Sequence, residues 1–153
     1  MKKKRTCSFT GHRILPNDFP LEELEKSVYK AINDGFNTFL CGMALGFDTV
    51  CFHLLEKIRE TKKIKIVACV PCKTQSAYFN KKQKAEYERM INCADKVICL
   101  SENYYDGCMQ ERNKYMVDNS SRVICYLNYG HGGTYQTVKY AAESDSEVVY
   151  IGK

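Results

Sequence analysis

Short runs of apolar and β-branched residues alternate along this chain with segments whose apolar positions recur every three or four residues. That alternation is the pattern of a parallel sheet joined by crossover helices, an α/β architecture. Six strands are predicted, at approximately 4–10, 36–41, 64–70, 96–101, 122–127 and 147–151, with five helices between them. The run from Ile64 to Val70 is nearly continuous in apolar character, as expected when both faces of a sheet are covered. The first helix follows Pro20, places Leu21, Leu24, Val28, Ala31 and Ile32 on one face and ends near Gly35. The second carries Phe47, Val50, Cys51, Leu54, Leu55 and Ile58 in a stripe about 100° wide, with Asp48, Thr49 and Glu56 off its seam. By analogy with doubly wound sheets, the strand order 3-2-1-4-5-6 is expected.

Residues 1–153 read as one domain, without internal repeats or low-complexity segments. With 44% hydrophobic and 27% charged residues the chain falls in the globular range, which argues against disorder, collagen-like repeats and a coiled-coil rod. No apolar run approaches a membrane span, and Lys2 to Arg5 lead into Thr6-Cys7-Ser8-Phe9 rather than a signal-peptide core. A cytoplasmic, soluble protein is expected. Nine cysteines, odd in number and spread through apolar runs, fit reduced thiols better than a disulfide framework. Cys69-Val70-Pro71-Cys72 is either a redox pair or two strand-end cysteines; no second pair completes a zinc site, and no motif calls for a metal or a cofactor. A net charge of +5 favours anionic partners, nucleic acid or a phosphate-bearing small molecule.

Ligands of open parallel sheets bind beyond the carboxyl ends of the strands, so candidate chemistry is sought there. The first strand ends in Thr10-Gly11-His12-Arg13, a flexible turn carrying imidazole and guanidinium donors suited to an anion or a base edge. The second runs into Gly42-Met43-Ala44-Leu45-Gly46-Phe47-Asp48, where Gly42 and Gly46 let backbone N–H groups approach a phosphate. Asp48 either accepts from ligand hydroxyls or stabilises the helix start. The fifth strand leads to Gly130-His131-Gly132-Gly133-Thr134, read as a second anion cradle with Thr134 as helix cap or phosphate donor. In a helix near 107–119, Arg112 and Asn113 fall on the buried stripe marked by Met109, Met116 and Val117. Arg112 is therefore either neutralised by an internal carboxylate or reaches into the crevice. His53, beside Glu56 on the second helix, is read as structural.

Taken in order, Ser8-Phe9-Thr10-Gly11-His12-Arg13, Cys41 to Asp48, Met109-Gln110-Glu111-Arg112-Asn113 and Gly130 to Thr134 resemble the SLOG superfamily, and within it the small YpsA/YoqJ-like branch of bacteria and phages. The resemblance implies a Rossmann-like three-layer sandwich, a mostly parallel six-stranded sheet with helices on both faces, related to Smf/DprA and LOG proteins. It implies a nucleotide or nucleotide-derived ligand, NAD- or ADP-ribose-like, held by the glycine motifs, and it is compatible with a homodimer. The LOG phosphoribohydrolases cleave N-glycosidic bonds with a Met-x-x-Arg-Lys helix and a glycine loop followed by glutamate. Here Met109 and Arg112 match, Asn113 replaces the lysine and Thr137 falls at the glutamate position. Threonine neither activates water nor stabilises an oxocarbenium-like charge as a carboxylate does.

The expected function is therefore ligand binding as a sensor or sponge. The expected nucleotide-binding residues are Gly11, His12, Arg13, Gly42, Gly46, Asp48, Arg112, Asn113, Gly130, Gly132, Gly133 and Thr134, with no catalytic residue assigned. Two alternatives stay open. One is N-glycosidic hydrolysis with Asp48 or Glu111 in place of the glutamate; the other is an interaction module whose basic surface meets nucleic acid or protein.

Overall fold

A computed structural model describes residues 1–152. After a short 3-10 turn at Lys3–Arg5 the chain forms β1 (Thr6–Gly11), α1 (Leu21–Asn33), β2 (Thr38–Cys41), α2 (Phe47–Arg59) and β3 (Lys65–Val70). There follow α3 (Lys81–Cys93), β4 (Lys96–Cys99), α4 (Cys108–Asp118), β5 (Arg122–Tyr126), α5 (Gly132–Glu143) and β6 (Glu147–Tyr150). Every neighbouring pair of strands is parallel. The six strands and five helices lie where the alternation of patterns places them.

The strand order differs from the expected one. It is β4-β3-β2-β1-β5-β6, so β4 lies outside β3 rather than between β1 and β5. The physical reason is burial. β2 and β5 are buried at every position and β1 at all but its last, whereas β4 begins with exposed Lys96 and is buried at none. A short, charged strand of this kind suits an edge, where half its surface meets water. The reversal of order consequently falls between β1 and β5, and α4 carries the chain back from the β4 edge to that gap.

Alternation along the strands feeds two cores. Cys7, Phe9, Phe39, Cys41, Ile66, Ala68, Ile124 and Tyr126 face α1, α2 and α3 together with Leu24, Val28, Phe47, Phe52, Leu55 and Met90. On the opposite face Leu40, Val67 and Cys69 pack on Met116 of α4, and Val123 packs on Val117 and Ala141. One helix start is fixed by a local signal. Asn80 and Gln83 exchange side-chain and backbone hydrogen bonds of 2.8 and 2.9 Å, a capping box that opens α3. At the amino end of the sheet Arg122 donates to Asp34 and Glu147 and lies over the Phe36 ring, closing α1 onto β5 and β6.

All nine cysteines are free, and seven are buried. Burial pushes the Cys69 and Cys125 thiols up to about 12, and those of Cys7, Cys41 and Cys51 also rise for that reason. Cys69 and Cys72 are among the buried, unbonded ones. Among the described residues no helix is long and apolar enough to cross a membrane.

Phe39 is wholly buried between the sheet and α2 and stacks on Phe9. Truncation in Phe39→Ala is expected to cost about 3–5 kcal/mol. At about 2–4 °C per kcal/mol for a chain this size, calorimetry should show the midpoint lowered by roughly 6–20 °C with the helical signal retained.

Candidate functional site

The turns that follow β1, β2 and β5 and the first turns of α4 and α5 converge beyond the carboxyl ends of the strands, at the β1/β5 gap. They enclose a cleft of about 430 Å³. Of the residues singled out from the sequence, Gly11, His12, Arg13, Gly42, Asp48, Arg112, Asn113, Gly133 and Thr134 line it. Gly46, Gly130 and Gly132 do not.

The glycines divide by what their missing side chain makes room for. A Cβ on Gly11 would strike the Phe47 ring, so this glycine seats the first residue of α2 against β1. Gly46 has φ +81° and would drive a Cβ into the backbone of Arg13, where the Phe47 N–H donates to the His12 carbonyl at 3.0 Å. With Met43, also left-handed at φ 67°, it shapes the turn after β2. The role of Gly46 is thus to join two turns, not to face a ligand. Gly132 holds φ +92° at the start of α5, while a Cβ on Gly130 or Gly133 would meet open space.

Arg112 resolves the ambiguity its position raised. It is 4% exposed, and its Nη1 donates to the carbonyl of Gly42 and, at 3.3 Å, to that of Cys69. Its Nε donates to Asn113 Oδ1 at 2.8 Å. The guanidinium therefore binds the main chain at the ends of β2 and β3, with Asp48 beside it but in no direct ion pair. Asp48 folds back on its own turn, accepting from Ala44 N at 3.1 Å. Burial pushes the Asp48 carboxyl above its ordinary range, against the pull of Arg112, the Ala44 N–H and Arg13. Burial likewise lowers Arg112, against the attraction of Asp48.

Supporting side chains lie behind this pair. Gln75 donates to the Gly42 carbonyl at 2.9 Å and accepts from the Tyr87 hydroxyl at 2.8 Å. Desolvation raises that phenol to about 12. On the other wall the Asn128 N–H donates to His12 Nε2 at 2.9 Å, so the neutral ring carries its proton on Nδ1. Tyr129 stacks on His12 with centroids 4.1 Å apart, and His131 tilts against Tyr129 at 4.6 Å. Burial, followed by the nearby His131 charge, lowers the His12 pKa.

A model of the YspA SLOG family matches residues 21–150. The chain belongs to that family. It is 31% identical to the SPbeta prophage-derived protein YoqJ of Bacillus subtilis (strain 168), over 69% of this chain and 70% of that one. Among solved structures it is similar to DNA processing protein A from Streptococcus pneumoniae, with TM-score 0.71 and 18% identity, covering 97% of this chain and 50% of that one. It is also similar to DNA processing protein A from Helicobacter pylori, described for its single-stranded DNA binding mode, with TM-score 0.66 and 18% identity over 97% and 65%. The chain thus spans half to two thirds of these two proteins, and at this identity the likeness is one of fold. It bears out the Rossmann-like three-layer reading.

In this SLOG chain the position of the LOG glutamate, Thr137, lies inside α5 and donates to the Gly133 carbonyl at 2.8 Å. Glu111 is exposed on α4 and does not line the cleft, whereas Asp48 does. His53, expected to be structural, pairs with Glu86 at 2.6 Å between α2 and α3. Sequence reasoning passed over Thr10, Gln75, Tyr87 and Tyr129. Thr10 and Tyr129 adjoin motifs that were read, and their neighbours were the available signal; Gln75 and Tyr87 reach the site only through the fold.

Two predictions follow from the packing of this site. Gly46→Ala should cost about 2–4 kcal/mol through its left-handed backbone and the encroachment on Arg13, whereas Gly130→Ala should stay within about 0.5 kcal/mol; denaturant titrations of both variants measure the contrast. The second concerns pH. Because folding lowers the His12 pKa, the unfolded chain takes up this proton first, and stability falls as pH drops through the unfolded value near 6.5. His12→Gln should lose this share of the slope when thermal midpoints are compared at pH 7.5 and 5.5; equal slopes would remove His12 as its source.

Proposed function

We propose that the cleft binds a nucleotide or nucleotide-derived ligand, NAD- or ADP-ribose-like, by its phosphates, and that the protein acts as a sensor or sponge. One observation carries this reading. Thr10, His12, Arg112 and Thr134 are 8, 7, 4 and 9% exposed and line the cleft. Each keeps a polar atom without a protein partner: the hydroxyls of the two threonines, Nδ1 of His12 and Nη2 of Arg112. Among the described residues no fully buried side-chain N or O atom lacks a hydrogen bond. These four atoms therefore open onto the cleft, where a ligand rich in acceptors satisfies them.

The donors converge beside the first turn of α5, whose unpaired N–H groups and dipole favour negative charge, with Arg13 and Arg112 as countercharges. Asp48 keeps Oδ1, and Asn113 its amide NH₂, for sugar hydroxyls or a base edge. Membership of the SLOG family supports a nucleotide-type ligand, as does the single-stranded DNA bound by the Helicobacter pylori protein on a similar fold. Asp48 is the one carboxylate among the lining residues, and glycoside hydrolysis ordinarily draws on two, which favours binding over turnover.

Mass spectrometry of small molecules released from freshly purified protein, with thermal shifts across nucleotides, NAD and ADP-ribose derivatives, tests the proposal. A true ligand at 100 times its Kd should add about 2.7 kcal/mol of stability, or roughly 5–11 °C. Thr134→Val should weaken it about tenfold in calorimetry through the lost charge-assisted hydrogen bond. No shift with any member would overturn the reading, and recovery of free base with ribose phosphate would replace binding by hydrolysis.

A further inference from the structure

The cleft occupies the carboxyl end of the sheet; the amino end carries a different surface. Lys2 to Arg5 precede β1, Lys62 and Lys63 precede β3, Lys65 opens β3 and Lys96 opens β4, and all eight side chains are exposed. Backbone pairing sets them in a staggered row. Thr6 pairs with Thr38 and Thr38 with Lys65, so Arg5 lies one residue before the level of Lys65, and Lys96 pairs with Val67, two residues beyond it. At about 4.8 Å per strand, the row from β1 to β4 spans about 14 Å.

Two acidic residues of this edge are already engaged. Asp95 is bound by Arg59 at 2.8 Å, and Asp34 by Arg122 and Lys30 at 2.8 and 3.1 Å. None of the eight cations has a carboxylate within salt-bridge distance among the described residues, and exposed Glu60 is the nearest in sequence to Lys62. By contrast the β6 side of the same end carries Glu143, Asp145 and Glu147, so the positive field is confined to the β1–β4 half. Residues 2–5 and 60–65 expose no large apolar side chain, and the apolar side chains exposed beside the row are single ones, Met1 and Val97.

We infer that this edge binds the phosphate backbone of nucleic acid, at a surface separate from the cleft. The row faces about four phosphates of one strand at about 3.4 Å each along the helix axis. The cations contact phosphates only, so affinity is independent of sequence and steeply dependent on salt.

Fluorescence anisotropy with labelled 30-nucleotide single-stranded and duplex DNA, between 50 and 300 mM salt, tests the inference. Binding to either probe is expected, with log K falling against log salt at a slope of about −3 to −4. The variant Lys62→Glu/Lys63→Glu/Lys65→Glu should weaken binding at least tenfold at 100 mM salt and flatten the slope, and Lys4→Glu/Arg5→Glu should act in the same direction. Lys26→Glu, on α1 outside both the row and the cleft, should leave DNA binding unchanged; thermal midpoints confirm that the variants are folded. No binding at 50 mM salt, equal binding by both charge-reversed variants, an equal loss through Lys26→Glu, or capture by anionic vesicles without DNA binding would each overturn it. Nucleotide thermal shifts in the triple variant report on the cleft separately, so failure of one site is distinguishable from failure of the other.

Discussion

The carboxyl end of the sheet depends on one buried guanidinium. Main-chain carbonyls at the ends of β2 and β3 point out of the ladder and need donors, and in this chain Arg112 supplies one to each. Because Arg112 belongs to α4, the same contact fixes the long crossover from the outer edge of the sheet to its centre, where β5 pairs with β1. Its charge in turn is stabilised by the neighbouring Asp48, and Asp48 closes the turn that starts α2. Three elements distant in sequence are thus tied at one point. Burial leaves little freedom there: a charge of either sign without the other would carry the full cost of desolvation.

The same bonding extends beneath the cleft. The groups that build its floor are bonded to one another, through Gln75 and Tyr87 as far as α3. On its walls His12 accepts from the Asn128 N–H, while the hydroxyls of Thr10 and Thr134 have no protein partner and stay accessible to solvent.

The elements were legible in the sequence because each carries its own period, but their caps were not: Thr134, read as a cap, lies inside α5, whose N-cap is His131. The order of the strands was not, since it depends on comparing burial between segments. β4 and β5 are both short apolar runs, and their difference lies in exposure that no single segment displays. The glycine motifs were legible as motifs but not as roles. Gly46 and Gly133 look alike in sequence, yet one gives way to the backbone of Arg13 and the other to open space. Arg112 was legible as an anomaly on a buried stripe, while its partners at Gly42 and Cys69 lie 70 and 43 residues away.

The distribution of thiols has a consequence for how the molecule is observed in solution. Of nine cysteines only Cys99, on the edge strand, is exposed, and Cys93 is partly so. Desolvation holds Cys7, Cys41, Cys51, Cys69 and Cys125 in their protonated form, and burial shields all seven buried thiols from reagents. Alkylation of the native protein therefore stops after the accessible sites, and each further modification records an opening of the region that holds the thiol. Because Cys41 ends β2, Cys69 lies within β3 and Cys125 within β5, the chain contains its own set of clocks for local unfolding, distributed across the sheet without any introduced label.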